Sequence, residues 1–125
     1  MKVPLLLIIV FISIFFAGCS QNLTNGYYWD NYSKTQYAYL KNPNQENLSN
    51  HIDTLQQIVN VSRNRRLRVP PGVLVELAMM KRLQDPGADI SEYLNQEITV
   101  YPEAASFVQF LNANLFLDIG EVDND

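Results

Sequence analysis

The chain has 125 residues, 13 of them acidic and 9 basic, for a formal charge of −4 at neutral pH. That length suits one domain around one core, and the acidic balance argues against a nucleic-acid partner. A single cysteine excludes an intramolecular disulfide.

Val3 to Ala17 is an apolar run of 15 residues behind Lys2. As a helix it reaches about 22 Å, short of the roughly 30 Å of a bilayer core. It suits the apolar region of an export signal instead. Phe16-Ala17-Gly18-Cys19 then reads as a lipobox. Two small residues precede the cut, where a peptidase cleft has no room for bulk. Cys19 becomes the first mature residue and carries lipid through a thioether. Ser20 follows it rather than Asp, so the inner-membrane retention signal is missing. The expected location is the periplasmic face of a bacterial outer membrane. The lipid on Cys19 is the only non-protein group expected. Removing residues 1–18 takes away Lys2 and no acid, which leaves 107 residues with a charge of −5. Residues 19–26 read as a polar tether that keeps the domain near its membrane.

Residues 27–117 are expected to form an all-α domain, a small bundle of about five helices. Five of the seven tyrosines and the only tryptophan lie between Tyr27 and Pro43. A loop entry and a short helix from Ser33 to Lys41 are expected there, ended by Asn42-Pro43. The rings either pad one side of a small core or form an aromatic docking surface. Asn44 to Asn64 is the cleanest amphipathic helix, with Asn44 as N-cap and Leu48, Ile52, Leu55, Ile58 and Val59 inward. His51 has no second histidine and no acid placed to make a relay, so it reads as a surface residue, solvated or half-buried. Arg63 to Arg68 (RNRRLR) holds half the basic charge of the mature chain. It is either a solvated loop complementing a helix C-terminus or a contact for an acidic partner or headgroups.

Pro70-Pro71-Gly72 opens the next helix, with proline in its first turn. That helix is expected to run to Gln84, with Leu74, Leu77, Ala78, Met80 and Leu83 supplying apolar contacts. Asp85-Pro86-Gly87 breaks it. Asp89 caps a fourth helix to about Tyr101, with Ile90, Tyr93, Leu94 and Ile98 inward. A fifth is expected from Glu103 to about Leu117, with Ala104, Phe107, Val108, Leu111 and Leu115 on one face. Residues 118–125 read as an acidic, frayed tail. Four Asn-x-Ser/Thr sequons, at Asn22, Asn31, Asn47 and Asn60, follow from asparagine richness rather than glycosylation.

Leu74, Leu77, Ala78, Ile90, Leu94 and Pro102 together resemble one tetratricopeptide unit, a pair of packed helices. Lys81 and Glu97 stand where that repeat usually has an aromatic residue and an alanine. One unit does not close a core alone, so the flanking helices are expected to do so. A wider resemblance joins Trp29, the spaced tyrosines, Tyr39-Leu40-Lys41-Asn42-Pro43, Val69-Pro70-Pro71-Gly72 and Tyr101-Pro102-Glu103. In this order and spacing the set resembles the DUF4810 family of bacterial lipoproteins. Members often carry Gly after the tryptophan, where this chain has Asp30-Asn31. The resemblance implies an accessory protein of the cell envelope, set beside CsgG-like and DUF799 lipoproteins. It implies no catalytic residues.

The function expected is therefore a non-catalytic interaction module held to the membrane by its lipid, with envelope proteins as partners. Its contact residues are expected among Trp29, Tyr32 and Tyr37 and among Arg63, Arg65, Arg66 and Arg68. Tryptophan, tyrosine and arginine combine large contact area with a polar handle. The alternative is a periplasmic domain that binds or processes cell-wall glycan. That chemistry needs paired carboxylates. Asp85 and Asp89, and Glu92 and Glu97, are spaced like ordinary caps and helix-surface residues.

Overall fold

In a computed structural model the described residues are 26–116. The expectations for the export signal, Cys19, most of the tether, the Leu115 side chain and the acidic tail lie outside them. Five α-helices follow in order: α1 (Tyr32–Lys41), α2 (Gln45–Asn64), α3 (Val73–Gln84), α4 (Ser91–Val100) and α5 (Ala105–Leu111). A 3₁₀ turn, Pro102–Ala104, precedes α5, and a π-helical turn, Asn112–Phe116, follows it. No strand occurs among the described residues. The all-α class and the number of helices match the reading of the sequence.

Local signals set most boundaries. The Asn44 side chain accepts the Asn47 N–H at 2.8 Å and caps α2. The Asn47 amide in turn donates to Ala38 O and Asn42 O, tying the end of α1 to the start of α2. The N-cap position of α4 is Ile90 rather than Asp89, whose carboxylate accepts the Ser91 N–H at 3.0 Å in a turn leading into the helix. Two further boundaries differ from expectation. Pro70 and Pro71 stand ahead of α3, and the helix starts only after Gly72, whose φ of +84° belongs to the left-handed region. The last helix is interrupted by the 3₁₀ and π-helical turns. The Asn114 side chain donates to Phe110 O at 2.8 Å, competing with the backbone donors that a regular ladder would use.

Each helix packs on the next, and α3 sits at the centre. Its residues Val73, Leu74 and Leu77 join Leu48, Ile52, Leu55, Ile58 and Val59 of α2 in one apolar cluster. Its Val75 and Ala78 join Ile90 and Leu94 of α4 and Val108 and Leu111 of α5 in a second. A helix apolar on two sides is what a position between two layers requires. Pairs 35/51 and 38/47 run in opposite senses, so α1 and α2 are antiparallel. Pairs 72/97 and 81/93 show the same for α3 and α4.

Two side chains expected inside are outside. Leu83 is 59% exposed and Phe107 54%. Leu83 lies six residues, about 120° short of two full turns, from Leu77. On α5, Val108 and Leu111 take the narrow stripe that meets the core, leaving Phe107 beside it.

Leu55 and Leu77 are fully buried, as the periodicity requires. Leu77→Ala is expected to cost about 2–5 kcal/mol, a large part of the stability of so small a domain. A thermal melt unchanged within a degree or two would contradict that packing.

Candidate interaction surface

The aromatic entry to α1 begins with a strained turn. Asp30 has φ of +45°, a left-handed conformation that glycine adopts without cost. This is the position after Trp29 where the resembling family often carries Gly. The turn brings three rings together. Tyr27 and Trp29 meet edge to face with centroids 6.5 Å apart, and Trp29 and Tyr32 likewise at 5.2 Å. Trp29 and Tyr27 are each 42% exposed and form a surface, while Tyr28, Tyr32 and Tyr39 pad the core beneath it.

The basic stretch lies against it. Arg65 places its guanidinium 5.2 Å from the centre of the Tyr28 ring. Tyr27 lines a cleft of about 290 Å³ together with Arg66, Leu67 and Arg68. Arg66 has φ of +55° and closes α2. The Leu67 N–H bonds Ser62 O at 2.8 Å and the Arg66 N–H bonds Arg63 O at 3.0 Å. That is a Schellman motif with arginine where glycine is usual.

The expected contact residues divide. Trp29, Tyr32, Arg65 and Arg66 belong to this surface. Arg63 donates to the Gln96 side chain. Arg68 donates to Val100 O at 2.9 Å and covers the Tyr101 ring at 4.7 Å. Both are thus turned to α4. Tyr37 is 65% exposed but points elsewhere, about 140° round α1 from Tyr32, with the Lys41 ammonium 5.8 Å from its ring.

Behind the surface lies a polar network that sequence reading missed. His51 is completely buried, not a surface residue. Its Nε2 bonds Glu76 Oε1 at 2.9 Å and its Nδ1 shares a 2.9 Å hydrogen bond with the Thr35 hydroxyl. Tyr32 donates to Glu76 Oε2 at 2.6 Å, and Gln36 donates to the Tyr32 oxygen at 2.8 Å. An acid is therefore placed on His51 after all, by α3. The order threonine, histidine, glutamate is that of a nucleophile relay. The Thr35 hydroxyl, however, also lies 3.2 Å from Tyr32 O of its own helix, and the ring is sealed. Burial pushes the Glu76 carboxyl up, but the hydrogen bonds from His51, Tyr32 and Gln36 outweigh it and leave its pKa below the ordinary glutamate value. Burial, then the hydrogen bond and charge of Glu76, push the Tyr32 phenol well above its usual range.

Glu97, unlike the half-buried Glu76, is a fully buried carboxylate, at 2% exposure, where a helix-surface residue was expected. Gly72 has no side chain to cap α3, and Glu97 of α4 does so instead, accepting the Gly72 N–H at 2.7 Å through Oε1. Its Oε2 is buried without a partner. Burial raises its pKa despite the backbone donors. The signal for both residues was periodicity: His51 falls among Leu48, Ile52 and Leu55, and Glu97 among Leu94 and Tyr101, at inward spacings.

The model of a family described as a domain of unknown function, DUF4810, matches residues 27–111, and the chain belongs to that family. No curated protein matched the chain. No solved structure matched it.

Two measurements check this geometry. Arg66→Gly relieves a left-handed side chain and should raise stability by about 0.5–1 kcal/mol in a denaturant titration. The two carboxylates should respond to pH with opposite sign. The pKa of Glu76 is lowered by folding, so its contribution is full above about 4.5 and fades as pH falls through its folded value. The pKa of Glu97 is raised, so its contribution is full below about 4.5 and fades as pH rises through its folded value. Glu76→Gln should then cost about 1.5–3 kcal/mol at pH 7 and progressively less in acid. Glu97→Gln should cost little at pH 7 and compare less well with the parent as pH falls. Parallel stability curves for the two variants between pH 4 and 7 would refute the assignment.

Proposed function

We propose that this chain is an outer-membrane lipoprotein, anchored through a lipid on Cys19, whose helical domain is a non-catalytic accessory module of a cell-envelope complex. The observation that carries the reading is the joint surface: Trp29 stays exposed, and the Tyr27–Tyr32 rings adjoin Arg65 and Arg66. Aromatic and arginine side chains concentrated on one accessible patch are the composition of an interface hot spot. The patch begins immediately after the tether, so it faces the membrane or a neighbouring anchored protein. A CsgG-like lipoprotein is the partner that the family resemblance favours. Further support comes from the carboxylates weighed for glycan chemistry. Asp85 accepts the Gly87 N–H, Asp89 the Ser91 N–H and Glu92 the Gln96 amide. These three are engaged locally, whereas the fourth, Glu97, is buried and bonds the Gly72 N–H ahead of α3.

The test has two parts. Cys19→Ser should accumulate as an unprocessed precursor and lose outer-membrane fractionation. Normal processing of that variant would overturn the anchor. Replacing Trp29, Arg65 and Arg66 with alanine should abolish co-purification of a cross-linked partner from native membranes while shifting the melting temperature by no more than a few degrees. Retained co-purification, or loss of folding, would remove the surface from the proposal.

A further inference from the structure

Where α3, α4 and the start of α5 meet, Glu97 lines a groove of about 340 Å³ together with Pro71, Val75, Tyr101, Ala104 and Phe107. The carboxylate is 2% exposed; Oε1 accepts the Gly72 N–H at 2.7 Å, and the Leu74 N–H also acts on the group. Oε2 has no donor. A buried, half-satisfied carboxylate is costly unless a donor completes it. Glu103 also lines the groove, so its field is negative. No basic residue lines it among the described residues, and Arg68 is committed to Val100 O and the Tyr101 ring.

We propose that this groove receives an arginine or lysine side chain of a partner protein, its apolar stem between Tyr101 and Phe107 and its charged head on Glu97 Oε2. Charge complementarity fixes the head: two carboxylates in one groove reject an anion. The same argument turns away the chain's own terminal segment, residues 118–125, which holds four acids and no base. Surroundings fix the source. Phe107 is 54% exposed and Phe110, one turn on, 58%. A free amine would cover neither ring, whereas a protein segment carrying the basic side chain would bury both. Long basic side chains suit such a site because their methylene stems pack on apolar walls while the head is paired. Folding raises the Glu97 pKa through burial, and a bound cation lowers it again, so docking should strengthen from acid toward neutral pH. The groove adjoins the aromatic surface, since the Tyr101 and Tyr27 hydroxyls lie 3.4 Å apart, but neither proposal depends on the other.

The experiment follows the side-chain carboxyl carbon of Glu97 and the amide of Gly72 by NMR, using the full chain in detergent solution at pH 7. The probes are the blocked peptides acetyl-Leu-Arg-Phe-amide and acetyl-Leu-Gln-Phe-amide. The arginine peptide should shift both signals saturably and bind at least tenfold more tightly than the glutamine peptide. Phe107→Ala should weaken it several-fold. Glu97→Gln, which keeps the acceptor for Gly72 and hence the fold, should erase the preference for arginine. Equal binding of the two peptides, no binding, or an unchanged preference in Glu97→Gln would overturn the proposal. Agmatine matching the peptide would assign the groove to a free amine instead. An N-acetylglucosamine tetramer shifting Glu97 would assign it to glycan, and self-association lost in Glu97→Gln would assign it to a second copy. Each of these also overturns it.

Discussion

Helix α1 contributes no buried residue to either apolar cluster, yet it has a defined place on the stack. The carboxylate of Glu76 gives it that place. One group on α3 receives Tyr32 from α1 and His51 from α2, and His51 reaches back to Thr35 of α1. A hydrogen bond to a charged group is worth about 1.5–3 kcal/mol, roughly twice a neutral one. That adds to the partial apolar contact that Tyr32 and Tyr39 make with the core. Hydrogen bonds are also directional where apolar burial is not, so the network sets the rotation of α1 about its axis. Tyr32 must face Glu76, and the Trp29 ring, edge to face with Tyr32 on one side and with Tyr27 on the other, is left exposed.

Glu97 solves the corresponding problem at the start of α3. The loop from Val69 must turn sharply, and Gly72 in the left-handed region makes the turn without a side chain to cap the helix. The missing acceptor comes from α4, the next helix, 25 residues on in sequence. A carboxylate at a helix N-terminus also meets the positive end of the helix dipole. The backbone is thereby served through one oxygen. The other oxygen is buried without a hydrogen bond of ordinary geometry. Tyr101 spends its hydroxyl on Val69 O at 2.7 Å, holding the same loop from the other side.

The fold was legible because its signals are local. Asn44 caps α2, Asn42-Pro43 ends α1, and the 3–4 residue spacing of Leu48, Ile52, Leu55 and Ile58 marks the buried stripe. The aromatic and basic stretches were legible as composition, although only the structure separates Arg65 and Arg66 from Arg63 and Arg68. What sequence reasoning lost was partnership across helices. Glu76 and His51 are 25 positions apart, as are Gly72 and Glu97. Residue type argued for the surface in both cases, since charged and imidazole side chains are seldom fully buried without a partner. Periodicity argued for the interior and prevailed, because packing placed a partner on the neighbouring helix. The repeat resemblance pointed the same way: an alanine position occupied by Glu97 is a buried position, and its occupant has to be satisfied there.

The two ends of the molecule are therefore held by different forces. The α3–α5 end rests on Val75, Ala78, Leu94, Val108 and Leu111, contacts that tolerate changes of pH and salt. The α1 end rests on polar bonds around one carboxylate, which weaken when Glu76 takes a proton. Few buried apolar contacts and partly exposed hydrogen bonds are the marks of a segment that opens below the global unfolding free energy. The exposed aromatic patch sits on that segment. A partner that covers Trp29 excludes water from the neighbourhood of Tyr32 and Glu76, where the same hydrogen bonds are stronger in a lower dielectric. Docking and the anchoring of α1 are then coupled: whatever binds the patch stabilises the helix that presents it. The strained residues fit this arrangement. Asp30 and Arg66 flank the patch in left-handed conformations that favour glycine. Strain of that kind persists where surrounding contacts hold it. At Arg66 the contact is the Schellman pair that closes α2, so the helix end gives up some stability and places an arginine beside the aromatic rings.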